Sequence, residues 1–319
     1  MFQILVLALA QLLMKKPWLF IILAGLSGIF SLPAIAQNAA PVRIWDYGFG
    51  GSGYDQLNCL EQTTDGGYIL GGFSDSGLNG DKTQLSKGVT DYWIIRTDSN
   101  GTKRWDKTIG GSNGDYLYTI KQTSDEGFIL GGWSESGSSG DKTQVSRGSD
   151  DYWIVKLDSN GTKLWDKSFG GASHDLLRSV YETADGSYIL GGMSDSPAGG
   201  DKSSGNNGSI GKDFWIIKLD DKGNKLWDKT IGGTEDEVLS ALHLCTDGSY
   251  LLAGYSASGV GGNKSQANLG KEDYWLVKLD AQGNKVWDKT FGGSGMDLGT
   301  AIVQIPMAVI CWAEVQIRA

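Results

Sequence analysis

Residues 128–170, "FILGGWSESGSSGDKTQVSRGSDDYWIVKLDSNGTKLWDKSFG", contain three short apolar runs separated by a long polar loop and by an Asn-Gly turn. The runs predict strands over 128–134, 151–158 and 163–170, because Asn-Gly suits the positive φ of a tight hairpin. The segment before them, "LYTIKQT" (117–123), predicts the first strand of the same unit. The repeat region has no sustained 3.6-residue apolar period, so no helix is expected there.

This unit recurs along the chain with a period of about 60 residues. The Trp-Asp dipeptides are spaced by 60, 60, 62 and 60 residues and begin at Trp45, Trp105, Trp165, Trp227 and Trp287. Two hairpins per period are typical of a propeller blade, and stacked blades bury the apolar faces that one sheet leaves open. The pattern predicts an all-β fold, a β-propeller built of four-stranded antiparallel blades. A β-solenoid is the alternative; its coils are usually shorter and carry no long polar loop in every turn.

The segments "DYWIVKLDSNGTKLWDKSFGG" (151–171) and "QTSDEGFILGGWS" (122–134) resemble the repeats of secreted bacterial propeller proteins, which are frequent among large surface proteins of Bacteroidetes. The segment "KLDSNGTKLW" (156–165) is also similar to the tryptophan-docking repeat of quinoprotein propellers. The resemblance covers residues 43–304. It implies a propeller architecture and leaves the activity open, because such blades serve many functions.

The repeat supplies four complete units and two single strands. The complete units cover residues 57–109, 117–169, 177–231 and 239–291. A fourth-type strand, "RIWDYGFG" (43–50), precedes them, and a first-type strand, "LGTAIVQ" (298–304), follows them. The sequence therefore predicts a truncated part of a larger propeller, with unpaired sheet edges and exposed apolar blade faces that favour association.

Residues 305–319 do not follow the repeat. A frame shift at the codon of Pro306 permits Asp-Gly-Gly-Tyr-Leu-Leu-Gly-Gly, which matches "DGGYILGG" (65–72). We interpret 305–319 as an out-of-frame tail caused by a single-base deletion near codon 305. The alternative is a chance match to an unusual C-terminus.

The N-terminal segment 1–36 has the pattern of a secretory signal peptide, with its true start at Met14, a basic pair at 15–16 and an apolar run behind it. The predicted cleavage motif and new N-terminus are Ala34, Ala36 and Gln37. A linker (37–42) follows. The alternative, an uncleaved anchor over 2–30, would place both lysines inside the membrane. We expect a secreted or cell-surface protein without a membrane span after signal removal.

The charge balance and the cysteine content exclude several classes of protein. The formal net charge is −9 and becomes −11 when the signal peptide with its two lysines is removed. An acidic chain without a basic stripe argues against nucleic acid as a partner. Three cysteines argue against a disulfide framework. The expected partner is an unidentified protein or carbohydrate.

A recurring acid stands at the entry to each first strand. These acids are Asp55, Asp115, Asp175, Glu237 and Asp297. In a propeller the first strands lie at the central channel, so the acids could form a ring that binds calcium or a cationic or hydroxylated ligand. The structural interpretation is that each acid caps its own turn by accepting backbone N–H bonds. Recurrence in every blade favours capping, because a ligand site usually breaks the symmetry.

A second candidate site is a mostly aromatic column at the start of the long loop. It contains Phe73, Trp133, Met193 and Tyr255, of which Trp133 is the best candidate for a partly exposed recognition residue. Neither histidine, His174 or His243, belongs to a recognisable catalytic set, and no cofactor other than calcium is expected. The sequence predicts a non-catalytic binding or scaffolding propeller. The alternatives are a quinoprotein-like or glycan-active enzyme, and a spacer for a missing C-terminal sorting or adhesion domain.

Overall fold

The computed structural model describes residues 45–208, 211–305 and 309–315. The chain divides into two units, Met1–Tyr47 and Gly48–Ala319, and all the described strands lie in the second. The described residues contain no helix, and therefore none that is long and apolar enough to cross a membrane. The predicted signal peptide (1–36) and linker (37–42) lie outside the described residues.

Four antiparallel four-stranded sheets, blades 1 to 4, follow one another along the chain, and within each blade the strands pair in chain order. Blade 1 contains β1 Asp55–Gln62, β2 Tyr68–Ser74, β3 Asp91–Thr97 and β4 Lys103–Ile109. Blade 2 contains β5 Asp115–Gln122, β6 Phe128–Ser134, β7 Asp151–Leu157 and β8 Lys163–Phe169. Blade 3 contains β9 Asp175–Glu182, β10 Tyr188–Ser194, β11 Asp213–Leu219 and β12 Lys225–Ile231. Blade 4 contains β13 Glu237–Leu244, β14 Tyr250–Ser256, β15 Asp273–Leu279 and β16 Lys285–Phe291. The predicted all-β fold with propeller-like blades is confirmed.

The Asn-Gly turns join the third and fourth strands as the sequence predicts. In blade 2 the Oδ1 atom of Asp158 accepts hydrogen bonds from the backbone N of Asn160 at 2.9 Å and of Thr162 at 2.7 Å. Gly161 takes a φ of 77°, a conformation that residues with a Cβ rarely adopt. The aspartate before the turn and the glycine within it therefore both favour this hairpin.

Both faces of an inner blade are buried, because the alternating side chains of its third strand enter two different cores. On one face of β7, Trp153 packs against Tyr92 of blade 1, with ring centroids 4.8 Å apart. The hydroxyl of Tyr92 donates to the backbone O of Trp153 at 3.0 Å. On the other face Ile154 lies in one core with Leu177 of blade 3. All four side chains have no exposed surface.

Consecutive blades fit together by placing a leucine over a glycine. A Cβ on Gly71 would lie 2.8 Å from the Cδ2 atom of Leu117 in the next blade. Equivalent contacts join Gly131 to Leu177 and Gly191 to Leu239. The contact between blade 4 and the strand after it differs. There the position of the glycine is occupied by Ala253, and the position of the leucine is occupied by Gly299.

Strand β17 (Leu298–Ile305) therefore packs on blade 4 as the first strand of a further blade, as predicted. Its Ile302 is 9% exposed and shares a core with Ala253. A last strand, β18 (Val309–Val315), pairs antiparallel with β17. Of the predicted out-of-frame tail, residues 306–308 and 316–319 lie outside the described residues. The frame interpretation concerns the gene and stays a prediction.

The other end of the repeat differs from the sequence prediction. Residues 45–50 of the predicted strand "RIWDYGFG" (43–50) form no strand. The physical reason is that a fourth strand pairs with the third strand of its own blade, as β4 does with β3, and the described residues contain no third strand for this segment. On β1, Leu57 is 59% and Leu60 50% exposed, which confirms the predicted open apolar face.

Candidate functional site

The recurring acids cap turns. In blade 2 the Oδ2 atom of Asp115 accepts hydrogen bonds from the backbone N of Gly111 at 2.7 Å and from the hydroxyl of Ser136 at 3.0 Å. The corresponding backbone bond measures 2.7 Å at each of the other acids, Asp55, Asp175, Glu237 and Asp297. These are the bonds that the capping interpretation predicts. Each acid fixes the entry to its own blade.

Burial separates three of these acids from any ligand in a channel. Asp115, Asp175 and Glu237 have no exposed surface. Burial raises the pKa of Asp115 to about 6, and it also raises the pKa of Asp175. In the described part of the chain, no group of three or more His, Cys, Asp or Glu side chains is placed to hold a metal ion.

The predicted recognition column divides into buried and half-buried members. Phe73 is 8% and Met193 4% exposed, so both are core residues. Trp133 and Tyr255 are half-buried. Trp133 and Tyr255 therefore keep part of their surface, whereas Phe73 and Met193 offer little surface to a partner.

A β-bulge in each first strand creates a second column that sequence analysis missed. In blade 2 the register shifts between Leu117 and Thr119, so the intervening Tyr118 has no partner on β6. The same shift occurs in the other three blades, and the four bulge residues are Asn58, Tyr118, Arg178 and Ser240. We call these four the bulge column. Bulges of this kind re-aim a side chain and are frequent beside functional sites.

Glycine opposite each bulge makes the irregular register possible. A Cβ on Gly132 would lie 1.9 Å from the backbone O of Tyr116. Gly72, Gly192 and Gly254 are equally tight against the equivalent carbonyls. The glycine at this position is therefore a requirement of the bulge in every blade, and the bulge holds one side chain per blade on the surface formed by the first strands.

Three members of this surface form one stacked cluster between blades 2 and 3. The rings of Tyr118 and Trp133 are stacked, with centroids 4.4 Å apart and an interplanar angle of 22°. The Cζ atom of Arg178 lies 4.2 Å from the centroid of Tyr118 and 5.2 Å from that of Trp133. We call these three residues, together with the rest of the bulge column, the bulge surface.

Arg178 is the charged member of the cluster. All three clustered side chains are half-buried. No described residue accepts a hydrogen bond from the Arg178 guanidinium or forms an ion pair with it. The two aromatic rings lie against its charge instead.

Polar side chains extend the bulge surface onto blade 1. The hydroxyl of Tyr54 donates to Gln56 Oε1, Gln56 Nε2 donates to Asn58 Oδ1, and Asn58 Nδ2 donates to the backbone O of Leu117, each at 2.7 Å. Tyr54 is 60% exposed. An aromatic ring just before β1 and two amides on it are thus joined in one hydrogen-bonded line, and such groups suit a polar ligand.

Each of the two histidines contacts a neighbouring side chain. His174 Nδ1 lies 2.5 Å from Asp150 Oδ2 in exposed loops, and this hydrogen bond raises the pKa of His174. His243 packs edge-on against Tyr181, with centroids 6.4 Å apart. Neither contact contains a nucleophile.

The sequence did contain a signal for the missed column. Positions at which every blade needs the same side chain hardly vary among the units, whereas the residue at the bulge position is Asn, Tyr, Arg and Ser in turn. The bulge register, which decides where this position points, is invisible without the structure.

Comparisons with known proteins assign no family. No protein-family model and no curated protein matches the chain. Among solved structures it is similar to a protein of unknown function from Bacteroides caccae, with 12% identity, a TM-score of 0.35 and coverage of 79% of this chain and 89% of that one. A variant of the Synechocystis apocarotenoid oxygenase has 11% identity, a TM-score of 0.43 and coverage of 81% and 53%. A mannose phosphorylase from Leishmania mexicana has 11% identity, a TM-score of 0.38 and coverage of 85% of both chains.

Proposed function

We propose that this chain is a secreted or cell-surface, non-catalytic β-propeller that binds a protein or carbohydrate ligand at the bulge surface. The observation that carries the proposal is the stacked cluster on the bulge column, where Tyr118 and Arg178 meet Trp133. A site that serves one ligand needs one set of side chains, not a repeated set. The fold tolerates four different residues in this column, so Tyr118 and Arg178 are free to serve binding.

The structural columns provide the contrast. The tryptophan of each third strand donates to the aspartate of the fourth strand at 3.0 to 3.1 Å in all four blades. These two residues are the same in every blade because each blade buries the tryptophan and needs the aspartate as its hydrogen-bond acceptor. Side chains that vary among the blades while exposed to solvent are the better candidates for recognition.

Secretion is part of the proposal because of the predicted signal peptide. Cleavage before Gln37 would deliver the repeat outside the cytoplasm, where a propeller with an acidic surface meets extracellular proteins and polysaccharides. The blades would then present the bulge surface as a rigid scaffold, since both neighbouring cores fix the strands that carry it.

Saturable binding to immobilised ligands tests the proposal. The purified chain is applied to glycan and protein arrays beside the variants Trp133→Ala and Tyr118→Ser. Leu164→Ala is the matched control, because Leu164 is 56% exposed on the outer strand β8. We expect the control to bind as the unchanged chain does and both site variants to lose retention.

Two results would contradict the proposal. Retention that survives both substitutions would place binding elsewhere, and the absence of any saturable retention would favour a spacer. Thermal unfolding of each variant separates loss of binding from loss of fold. Turnover of a substrate by the unchanged chain would favour the enzyme class instead.

A further inference from the structure

Arg178 stands apart from the other described arginines. Arg96 and Arg104 both pair with Asp65, and Arg147 pairs with Asp201. Arg178 has aromatic contacts only among the described residues. The chain contains 37 acidic and 28 basic residues, so carboxylates are more numerous than the cations that could pair with them. A guanidinium without a carboxylate partner is therefore unexpected in this chain.

The hydrogen-bond donors of Arg178 are not used within the described part of the chain. A guanidinium is planar, and aromatic rings contact its face, whereas its five N–H donors point outward in the plane. The centroids of Tyr118 and Trp133 lie 4.2 Å and 5.2 Å from the Cζ atom of Arg178, and no described residue accepts a hydrogen bond from its donors. A fork of parallel N–H bonds to one carboxylate is the arrangement that such a preorganised arginine favours.

The surroundings suit a sugar. The exposed ring of Tyr54 and the exposed part of the Trp133 side chain offer apolar contact for the C–H face of a pyranose. The amides of Gln56 and Asn58 lie on the neighbouring inner strand and suit hydroxyl groups. Rings, amides and one cation together match a ligand that carries hydroxyls, an apolar ring face and one negative charge.

We infer that the ligand of the bulge surface is an acidic oligosaccharide, whose uronate carboxylate pairs with Arg178 while a sugar ring packs on Trp133. This inference rests on the proposed function and names the class of its ligand. The carboxylate replaces the missing partner of the cation, and the aromatic rings exclude water from the ion pair, which strengthens it.

Calorimetric titration with oligouronates tests the inference. Oligosaccharides of galacturonate, glucuronate and mannuronate are compared with their methyl esters, which keep the sugar and remove the charge. We expect one acidic form to bind at least about tenfold more tightly than its ester, the usual effect of a hydrogen bond to a charged group. Arg178→Ala is expected to abolish the difference, and Arg178→Lys to keep part of it because the charge remains.

Arg147→Ala is the matched control, because Arg147 is an exposed arginine that pairs with Asp201 away from the bulge column. Equal binding of acid and ester, or acid binding that Arg178→Ala leaves unchanged, would overturn the inference. If the ester binds equally and Trp133→Ala still removes that binding, the proposed function stands with a neutral sugar. If a protein ligand from the array is the one lost in Trp133→Ala, the function stands and the sugar class is wrong. If nothing binds on any array, both the inference and the proposed function are wrong.

Discussion

The indole Nε1 atom of Trp153 donates a hydrogen bond to Asp166 Oδ2 at 3.1 Å, across the third and fourth strands of blade 2. The same carboxylate accepts the backbone N and the hydroxyl of Thr143, each at 2.9 Å, and so holds the long polar loop. Burial alone would raise the pKa of Asp166, but hydrogen bonds from Lys163, Thr143 and Trp153 hold it below its usual value. The same hydrogen bond accounts for the aspartate of the Trp-Asp dipeptide in each of the four blades.

Replacing Asp166 with Ala should lower the free energy of unfolding by about 2–4 kcal/mol, because the buried donors of Trp153 and Thr143 lose their charged acceptor. Trp153→Phe, which removes one of these bonds and part of a ring, should also destabilise. Urea denaturation measures both effects. Asp221→Ala, at an exposed turn position, is the control and should change stability by less than about 0.5 kcal/mol. An effect of Asp166→Ala as small as the control would show that water replaces the acceptor.

The sequence predicted the repeat, the strands and the hairpin turns because each depends on local periodicity and turn chemistry. It did not predict the partner of Asp166, since a Trp-Asp dipeptide does not show that the aspartate bonds to a tryptophan 13 residues earlier. It also missed the site at Arg178. Whether a residue of an inner strand faces a core or a surface depends on the bulge, and the bulge depends on a glycine of the next strand.

Replacement of Gly131 by a larger residue should destabilise the fold. A Cβ there would lie 2.6 Å from Leu177 Cδ2, so Gly131→Ala is expected to destabilise by about 1–3 kcal/mol through overpacking. Gly137→Ala, where no atom lies within 4 Å of the new Cβ, is the control. Combining Gly131→Ala with Leu177→Ala should cost less than the two single changes together. Strict additivity in denaturation experiments would mean that the two sites do not share the contact.

Stability should depend on the protonation of Asp115. Burial raises its pKa from 3.8 to about 6, so the folded chain binds this proton more tightly than the unfolded chain. The stabilising contribution is complete below about pH 4 and is lost as the pH rises through about 6. Asp115→Asn should therefore flatten the fall in unfolding free energy between pH 4 and pH 7. Urea midpoints at several pH values measure this slope, with Asp221→Asn as control; an unchanged slope in Asp115→Asn would refute the assignment.

The open face of blade 1 should mediate self-association. Leu57 and Leu60 occupy the columns of Leu117 and Ile120, which are 0% and 2% exposed, yet both are at least half exposed on β1. The double change Leu57→Ser and Leu60→Ser should raise the monomer fraction in sedimentation velocity runs, because apolar area leaves the surface. Leu164→Ser, a single exposed leucine on β8, is the control. If the monomer fraction stays the same, association occurs through another surface.

Lys142 should hold the long polar loop of blade 2. The residue is 2% exposed, and its Nζ atom donates to the backbone O of Ser136 at 2.9 Å and to the hydroxyl of Ser146 at 2.8 Å. Lys142→Met keeps the buried chain length but removes these donors, so the loop should open locally and limited proteolysis within 135–150 should become about tenfold faster. Lys222→Met, at an exposed turn, is the control. Equal cleavage rates would mean that backbone bonds, such as Asp141 N to Gly110 O at 2.8 Å, hold the loop without the lysine.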